Sequence, residues 1–229
     1  GADAAPRVLV PGAGLMRLPL ELVSCGYAVE ANELCLEMVM VATFLTQHAD
    51  SLQEWTLYPF VEERSGHLRT ADQFAECSVC DTPAAQLLAA GGDDAYAISL
   101  GDFMDVTAER PDEFDAVATC FFLDVAPNVL AYAARIAALL RPGGVWVNFG
   151  PLHFHWADAD ADEDPDDPRF AASCEVSWEA LRFAVERLGF DVVEESTHDA
   201  TPYTANPSAS MQTVYRCVRF VAKRRAAQA

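Results

Sequence analysis

Residues 8–15 read Val-Leu-Val-Pro-Gly-Ala-Gly-Leu, an apolar run that breaks into a glycine-rich turn and resumes as an apolar-periodic helix over residues 15–24. This is how a nucleotide-type ligand site opens in an α/β chain: a buried parallel strand delivers the backbone to a turn where glycine permits close approach. Gly26 ends the helix, and residues 27–32 form a second strand closing at Glu33. An acidic side chain at that distance from the glycine turn can accept both hydroxyls of a ribose; a cap for the following helix is its competing role. Position 16 is Met, where a dinucleotide fingerprint wants a third glycine to pack helix against strand around a pyrophosphate. A nicotinamide-dependent oxidoreductase is therefore the weaker reading of the turn.

The remaining pattern extends the alternation. Residues 34–47 are apolar on nearly every side and predict a buried helix. Residues 50–94 have no clean period and predict a partly structured insertion over the ligand site. Residues 95–100 read as a short strand ending at Gly101-Asp102-Phe103, and residues 114–122 as a central parallel strand. A helix follows over 126–140, then a strand over 144–149. Residues 157–168 alternate alanine, acid and proline and read as a solvated, disordered loop without chemistry. Ser177 caps a helix stopped by Gly189, and strands at 190–194 and 214–223 close the chain through a turn-rich connection. The sum is one α/β domain over 1–229 with a doubly wound, mostly parallel sheet and an antiparallel last strand.

Composition narrows the partners. The 15 Lys and Arg against 35 Asp and Glu leave a formal charge of −20, a surface that repels a phosphate backbone and argues against nucleic acid. No apolar run reaches the ~18 residues of a membrane span, and the start shows no basic stretch followed by a long apolar core. The seven cysteines are scattered, as suits a reducing cytosol or nucleus. Cys77 and Cys80 form a lone CxxC with no second pair, so no metal site is read. The oligomeric state is left open, a homodimer included.

Site candidates gather at the predicted carboxyl ends of the strands, where ligands bind in such sheets. They are Gly12 and Gly14 in the turn, Glu33 after the second strand, and Asp102 with Phe103 after the third. A carboxylate at Asp102 can accept a base amino group; a turn Asp beside a core Phe is the alternative. Cys120 and Asp124 leave the fourth strand, Asp124 after a nearly apolar run, with helix capping as its competing role. Residues 150–156 leave the fifth strand with His153, Phe154, His155 and Trp156, which would wall an aromatic, cation-tolerant pocket.

Taken together, these stretches resemble the N2227-like family of S-adenosylmethionine-dependent methyltransferases, the family of the carnosine N-methyltransferases. The matching residues run in one order along nearly the whole chain. They include Pro11-Gly12-Ala13-Gly14-Leu15, Asn32-Glu33, Leu57-Tyr58-Pro59, Ala71-Asp72-Gln73 and Gly101-Asp102-Phe103. They continue with Thr119-Cys120-Phe121-Phe122, Asp124, Pro142-Gly143-Gly144, Gly150-Pro151-Leu152, His155, Tyr203-Thr204, Asn206, Ser210-Met211, Tyr215 and Cys217. The resemblance implies a Rossmann-like class I methyltransferase with a seven-stranded sheet. It also implies an S-adenosylmethionine site lined by Gly12, Gly14, Glu33, Asp102, Phe103 and Cys120. Asp124, His155 and Tyr215 would hold a small imidazole dipeptide, carnosine, for ring methylation. Two departures stand out: the family usually has glycine at the place of Met16, and it carries an N-terminal helical region that this chain does not match. The alternatives are methylation of another histidine-containing peptide or a protein histidine, and a catalytically inactive S-adenosylmethionine-binding protein.

Overall fold

A computed structural model describes residues 4–89, 91–92, 94–157, 166–203 and 206–226. Most of the acidic run expected to be a disordered loop, residues 158–165, and Thr204 of the matched segments lie outside the described residues.

In chain order, β1 (Arg7–Pro11), α1 (Arg17–Ser24), β2 (Ala28–Glu33) and α2 (Leu36–His48) open the fold. The insertion holds β3 (Trp55–Leu57), α3 (Thr70–Gln73), β4 (Cys77–Val79) and α4 (Ala84–Leu88). Then come β5 (Tyr96–Leu100), α5 (Phe103–Val106), β6 (Phe114–Cys120), a 3₁₀ turn (Leu123–Val125), α6 (Val129–Leu139) and β7 (Leu140–Gly150). The chain closes with α7 (Pro168–Ala171), α8 (Trp178–Arg187), β8 (Phe190–Tyr203) and β9 (Thr213–Arg224). The main sheet has the order β5-β2-β1-β6-β7-β9-β8. Strands β5, β2, β1, β6 and β7 are parallel, while β9 runs antiparallel to both β7 and β8. The expected doubly wound sheet with an antiparallel last strand is the observed one. Its strand order reverses between β1 and β6, which puts the ligand crevice at their carboxyl ends.

The core sits where β6, β7 and β9 meet α6 and α8: Phe114, Ile136, Trp146, Leu181, Phe190 and Phe220 are fully buried. Trp146 Nε1–H donates to Thr119 Oγ1 at 2.9 Å, the Thr119 hydroxyl bonds Asn148 Oδ1 at 2.8 Å, and Asn148 Nδ2–H donates to the Val218 carbonyl at 3.1 Å. Buried polar groups are tolerated when satisfied in this way.

Three expectations are corrected. Helix α2 is not buried: Ala42 is its one fully buried residue, whereas Leu36 and Met40 are 51% and 63% exposed. An all-round apolar helix normally implies cover on every side, but here β2 and α4 pack against it and the outer face stays open. Among the described residues, none of 50–94 lines the ligand cleft, so the insertion does not form its cover there. It packs instead on α1 and α2 and against the turn at 206–210. Finally, residues 195–203 are strand rather than turn. Their polar, mostly exposed side chains read as loop, yet pairing with β9 holds them extended.

Candidate active site

A cleft of about 420 Å³ opens at the carboxyl ends of β1, β2, β5 and β6, within the range of small-molecule sites. Gly12 lies at its base with φ +64°, and a Cβ there would stand 2.6 Å from the Phe122 ring. Glycine is thus required twice, for conformation and for space. Gly14, with φ +56°, does not line the cleft; its N–H donates to Glu33 Oε2 at 2.7 Å. Glu33 Oε1 accepts the N–H groups of Leu34 and Cys35, both at 2.9 Å. Glu33 ties the glycine turn to the entry of α2 and also lines the cleft. Met16 caps α1 with φ +67° and is fully buried. The left-handed geometry is the physical reason glycine suits that position, and a methionine there carries about 1–2 kcal/mol of strain.

Asp102 caps α5, its Oδ1 accepting the Met104 N–H at 2.7 Å, and it lines the cleft. The Phe103 ring is committed to the core, 5.4 Å from Phe122 and 5.1 Å from Tyr132. Cys120 ends β6 just short of the cleft, whose wall is made by the next two residues, Phe121 and Phe122. Burial, reinforced by Asp102, pushes the Tyr132 hydroxyl up to about 12, so it remains a proton donor at neutral pH. On the far wall the Arg169 guanidinium lies 4.0 Å over the Trp156 ring, a cation–π contact.

A second, smaller cavity adjoins the first and shares Phe121, Val125 and His155 with it. Asp124, Tyr203 and Tyr215 complete its lining. Phe121 has φ +50°, unusual for a bulky residue. A Cβ on Gly150 would come within 3.0 Å of the Phe121 backbone, so that glycine makes room for the kink. The kink turns the Phe121 ring into an aromatic cluster: it stacks on Tyr203 at 5.6 Å and 17°, and meets Tyr215 edge-on at 6.3 Å. His153 adds a ring 5.8 Å from Tyr215. At the cluster's edge Asp124 is 4% exposed, and its Oδ1 has no hydrogen-bond partner. Burial raises its carboxyl above the ordinary range, opposed by its own backbone N–H and then by His155 and His153. The His155 N–H donates to the Asp124 carbonyl at 3.0 Å, fixing one segment against the other.

Asp124, His155 and Tyr215 are thus brought together at one cavity, and Gly12, Glu33, Asp102 and Phe103 at the other. Gly14 and Cys120 stand behind that wall. Sequence reasoning missed Phe121, Tyr132 and Arg169 as site residues. A positive φ leaves no mark in the sequence, Tyr132 reads as helix core, and Arg169 lies beyond an acidic run that shows no period.

The carnosine N-methyltransferase family model matches residues 2–226. A carnosine N-methyltransferase from Drosophila melanogaster is 34% identical over 218 residues, covering 95% of this chain and 45% of the relative. One from Dictyostelium discoideum is 33% identical over 94% of this chain and 44% of its own, and one from Rattus norvegicus 33% over 95% and 51%. The chain spans about half the length of the curated relatives it matches. Among solved structures, an S-adenosylmethionine-dependent methyltransferase from Methanosarcina mazei superposes with TM-score 0.56 at 15% identity, covering 98% of this chain and 94% of that one. An rRNA adenine N1-methyltransferase from Catenulisporales acidiphilia does so with TM-score 0.56 at 12% identity, over 100% and 89%. The solved structures agree on the fold, the sequence relatives agree with it along nearly the whole chain, and the chain belongs to the carnosine N-methyltransferase family.

Proposed function

We propose that this chain methylates the imidazole ring of carnosine, using S-adenosylmethionine and yielding anserine. The observation that carries the reading is the unpartnered Asp124 oxygen at an aromatic-walled cavity that shares Phe121, Val125 and His155 with the glycine-turn cleft. A buried carboxylate oxygen without a donor is costly, and an N–H supplied by a bound imidazole satisfies it.

The cleft fits S-adenosylmethionine by its donor set. Glu33 suits a ribose diol, Asp102 suits an adenine amino group, and the Gly12 turn keeps the cleft floor free of side chain. When bound, the cofactor supplies an electrophilic methyl group on a sulfonium. The chain's own residues do the rest. An imidazole titrates near 6.5 and is mostly neutral at pH 7, so no strong base is needed. Asp124, accepting the N–H of the ring nitrogen remote from the side chain, leaves the proximal nitrogen with its lone pair. Fixing tautomer and angle in this way lowers a barrier by up to several kcal/mol. The positive ring that develops would lie beside the Asp124 carboxylate, which stabilises it electrostatically. His155 and Tyr215 confine the ring from the other sides.

Purified protein incubated with S-adenosylmethionine and carnosine, followed by mass spectrometry with mapping of the methylated nitrogen, tests the reading. One methyl on the proximal nitrogen is expected. Methylation of histidine-containing peptides but not of carnosine would reassign the acceptor. Cofactor binding with no methylated imidazole of any kind would end the proposal.

A further inference from the structure

The last paired position between β7 and β9 is Gly150 with Val218, yet β8 and β9 stay paired to Tyr203 with Thr213. Tyr203 and Tyr215, two walls of the smaller cavity, therefore stand on a two-stranded overhang beyond the sheet's last supporting strand. A free two-stranded ribbon is marginal in water. Ring contacts from Phe121 and His153 reach the two tyrosines, but the ribbon's backbone needs an anchor of its own at the tip.

The insertion supplies that support. Asn206, 2% exposed although it lies in a turn, donates from Nδ2 to the Asp72 carbonyl at 2.8 Å, while its Oδ1 accepts the Ser208 N–H at 3.0 Å. The Ser210 N–H donates to the Gly66 carbonyl at 2.7 Å, and His67 bridges Ala209 in antiparallel fashion. On the insertion side Asp72 is itself buried and held, its carboxylate accepting the Arg69 N–H and guanidinium, both at 3.0 Å. These bonds join segments about 134 positions apart, at the tip of the very ribbon that carries Tyr203 and Tyr215.

We infer that the segment 66–72 and the turn 206–210 form a clasp, with Asn206 as its positioning residue, that sets the acceptor wall and leaves the cofactor cleft alone. The inference rests on the proposed acceptor site. Its logic is geometric: none of the clasp residues lines either cavity, so they act through the two tyrosines. Misplacing a reacting group by about 1 Å can cost up to ~100-fold.

The test compares Asn206→Ala and Ser210→Pro, which remove different bonds of the clasp, in the full chain. For both, the KM for carnosine is expected to rise about tenfold or more, with the Kd of S-adenosylmethionine, read by calorimetry, within about twofold of the parent. Hydrogen–deuterium exchange is measured on the same proteins without any ligand. Exchange at 199–203 and 213–216 is expected to quicken while β1, β2 and β5 keep their protection. Cofactor affinity falling in step with acceptor KM, or a lowered Tm with KM unmoved, overturns the inference. If the parent does not methylate carnosine, the function reading fails by itself and exchange alone decides the clasp: unchanged exchange at the overhang refutes it.

Discussion

The two ends of the central sheet are built on opposite principles. The amino end carries a network of ion pairs. The Arg110 guanidinium bonds both Glu30 oxygens at 2.7 and 2.6 Å and both Glu113 oxygens at 2.6 and 2.9 Å. Arg7 adds an ion pair to Glu113 at 2.8 Å, Arg141 pairs with Asp115 at 2.8 Å, and Arg224 pairs with Asp112. Arg7 and Arg110 also lie over the Phe114 ring at 5.2 and 5.1 Å. At the carboxyl end, Asp124 keeps a buried oxygen without a donor, and Met16 and Phe121 hold left-handed backbones. The amino end has its own unpartnered Tyr96 hydroxyl and left-handed Asp112. Asp112, however, is tied to Arg224 and an aspartate tolerates that region, whereas Met16 and Phe121 are bulky residues held there by their surroundings. The amino end is organised for stability, the carboxyl end for a ligand.

The sharpest break of this comparison is Asp124→Asn. Turnover is expected to fall about 10²–10³-fold, the scale of losing one aligned electrostatic partner, with S-adenosylmethionine affinity little changed. Equal losses in turnover and cofactor affinity, read by steady-state kinetics and calorimetry, would dissolve the assignment. Next in size is Gly12→Ala. A Cβ against the Phe122 ring at positive φ costs about 2–4 kcal/mol, and cofactor binding is expected to disappear with it. Chemical denaturation and a cofactor titration check both halves.

Arg110→Ala serves as the opposite control. It strips Glu30 of its bidentate partner and leaves Glu113 to Arg7 alone, and is expected to cost about 2 kcal/mol of stability, while cofactor affinity and acceptor KM stay at parent values. A loss of affinity in that variant would show that the two ends are coupled.

The smallest effect is in the pH dependence of stability, where the ends differ in sign. Arg110 holds Glu30 and Glu113 below the ordinary carboxylate range. Their contribution is complete above the unfolded value and drains away as pH falls through the lowered ones. Burial holds Asp124 above its ordinary value. Its charge therefore costs stability above that raised pKa, and the cost is relieved as pH falls through it. Asp124→Asn is accordingly expected to raise Tm at neutral pH, in the variant that has lost turnover. A scanning calorimetry series over pH 3–8 reads both slopes; a lowered Tm at neutral pH would remove the claim that Asp124 is held at a cost.

Much of the frame was legible because it rests on local chemistry. Val8 to Gly14 announces a buried strand and a tight turn, and the continuous apolar run after Asp115 announces a central strand. The carboxyl-end positions of Glu33, Asp102 and Asp124 follow once the alternation is read. The failures share a cause. Leu36 and Met40 look buried because composition reports what could be covered, and only the packing of neighbours says what is. Residues 195–203 look like loop because exposed polar side chains carry no period, whereas backbone pairing with β9 is a non-local bond. Phe121 looks like the end of a strand, and its turned backbone depends on Gly150 in another strand.

Nearest neighbours and side-chain period were enough to specify the sheet, the glycine turn and the acidic residues at the strand ends. The burial of Asp124 with one oxygen unpaired, the stacking of Phe121 on Tyr203 and the reach of Asn206 to Asp72 arose from packing across the chain. Those arrangements depend on segments distant in sequence meeting at fixed separations, and no local pattern encodes such a meeting.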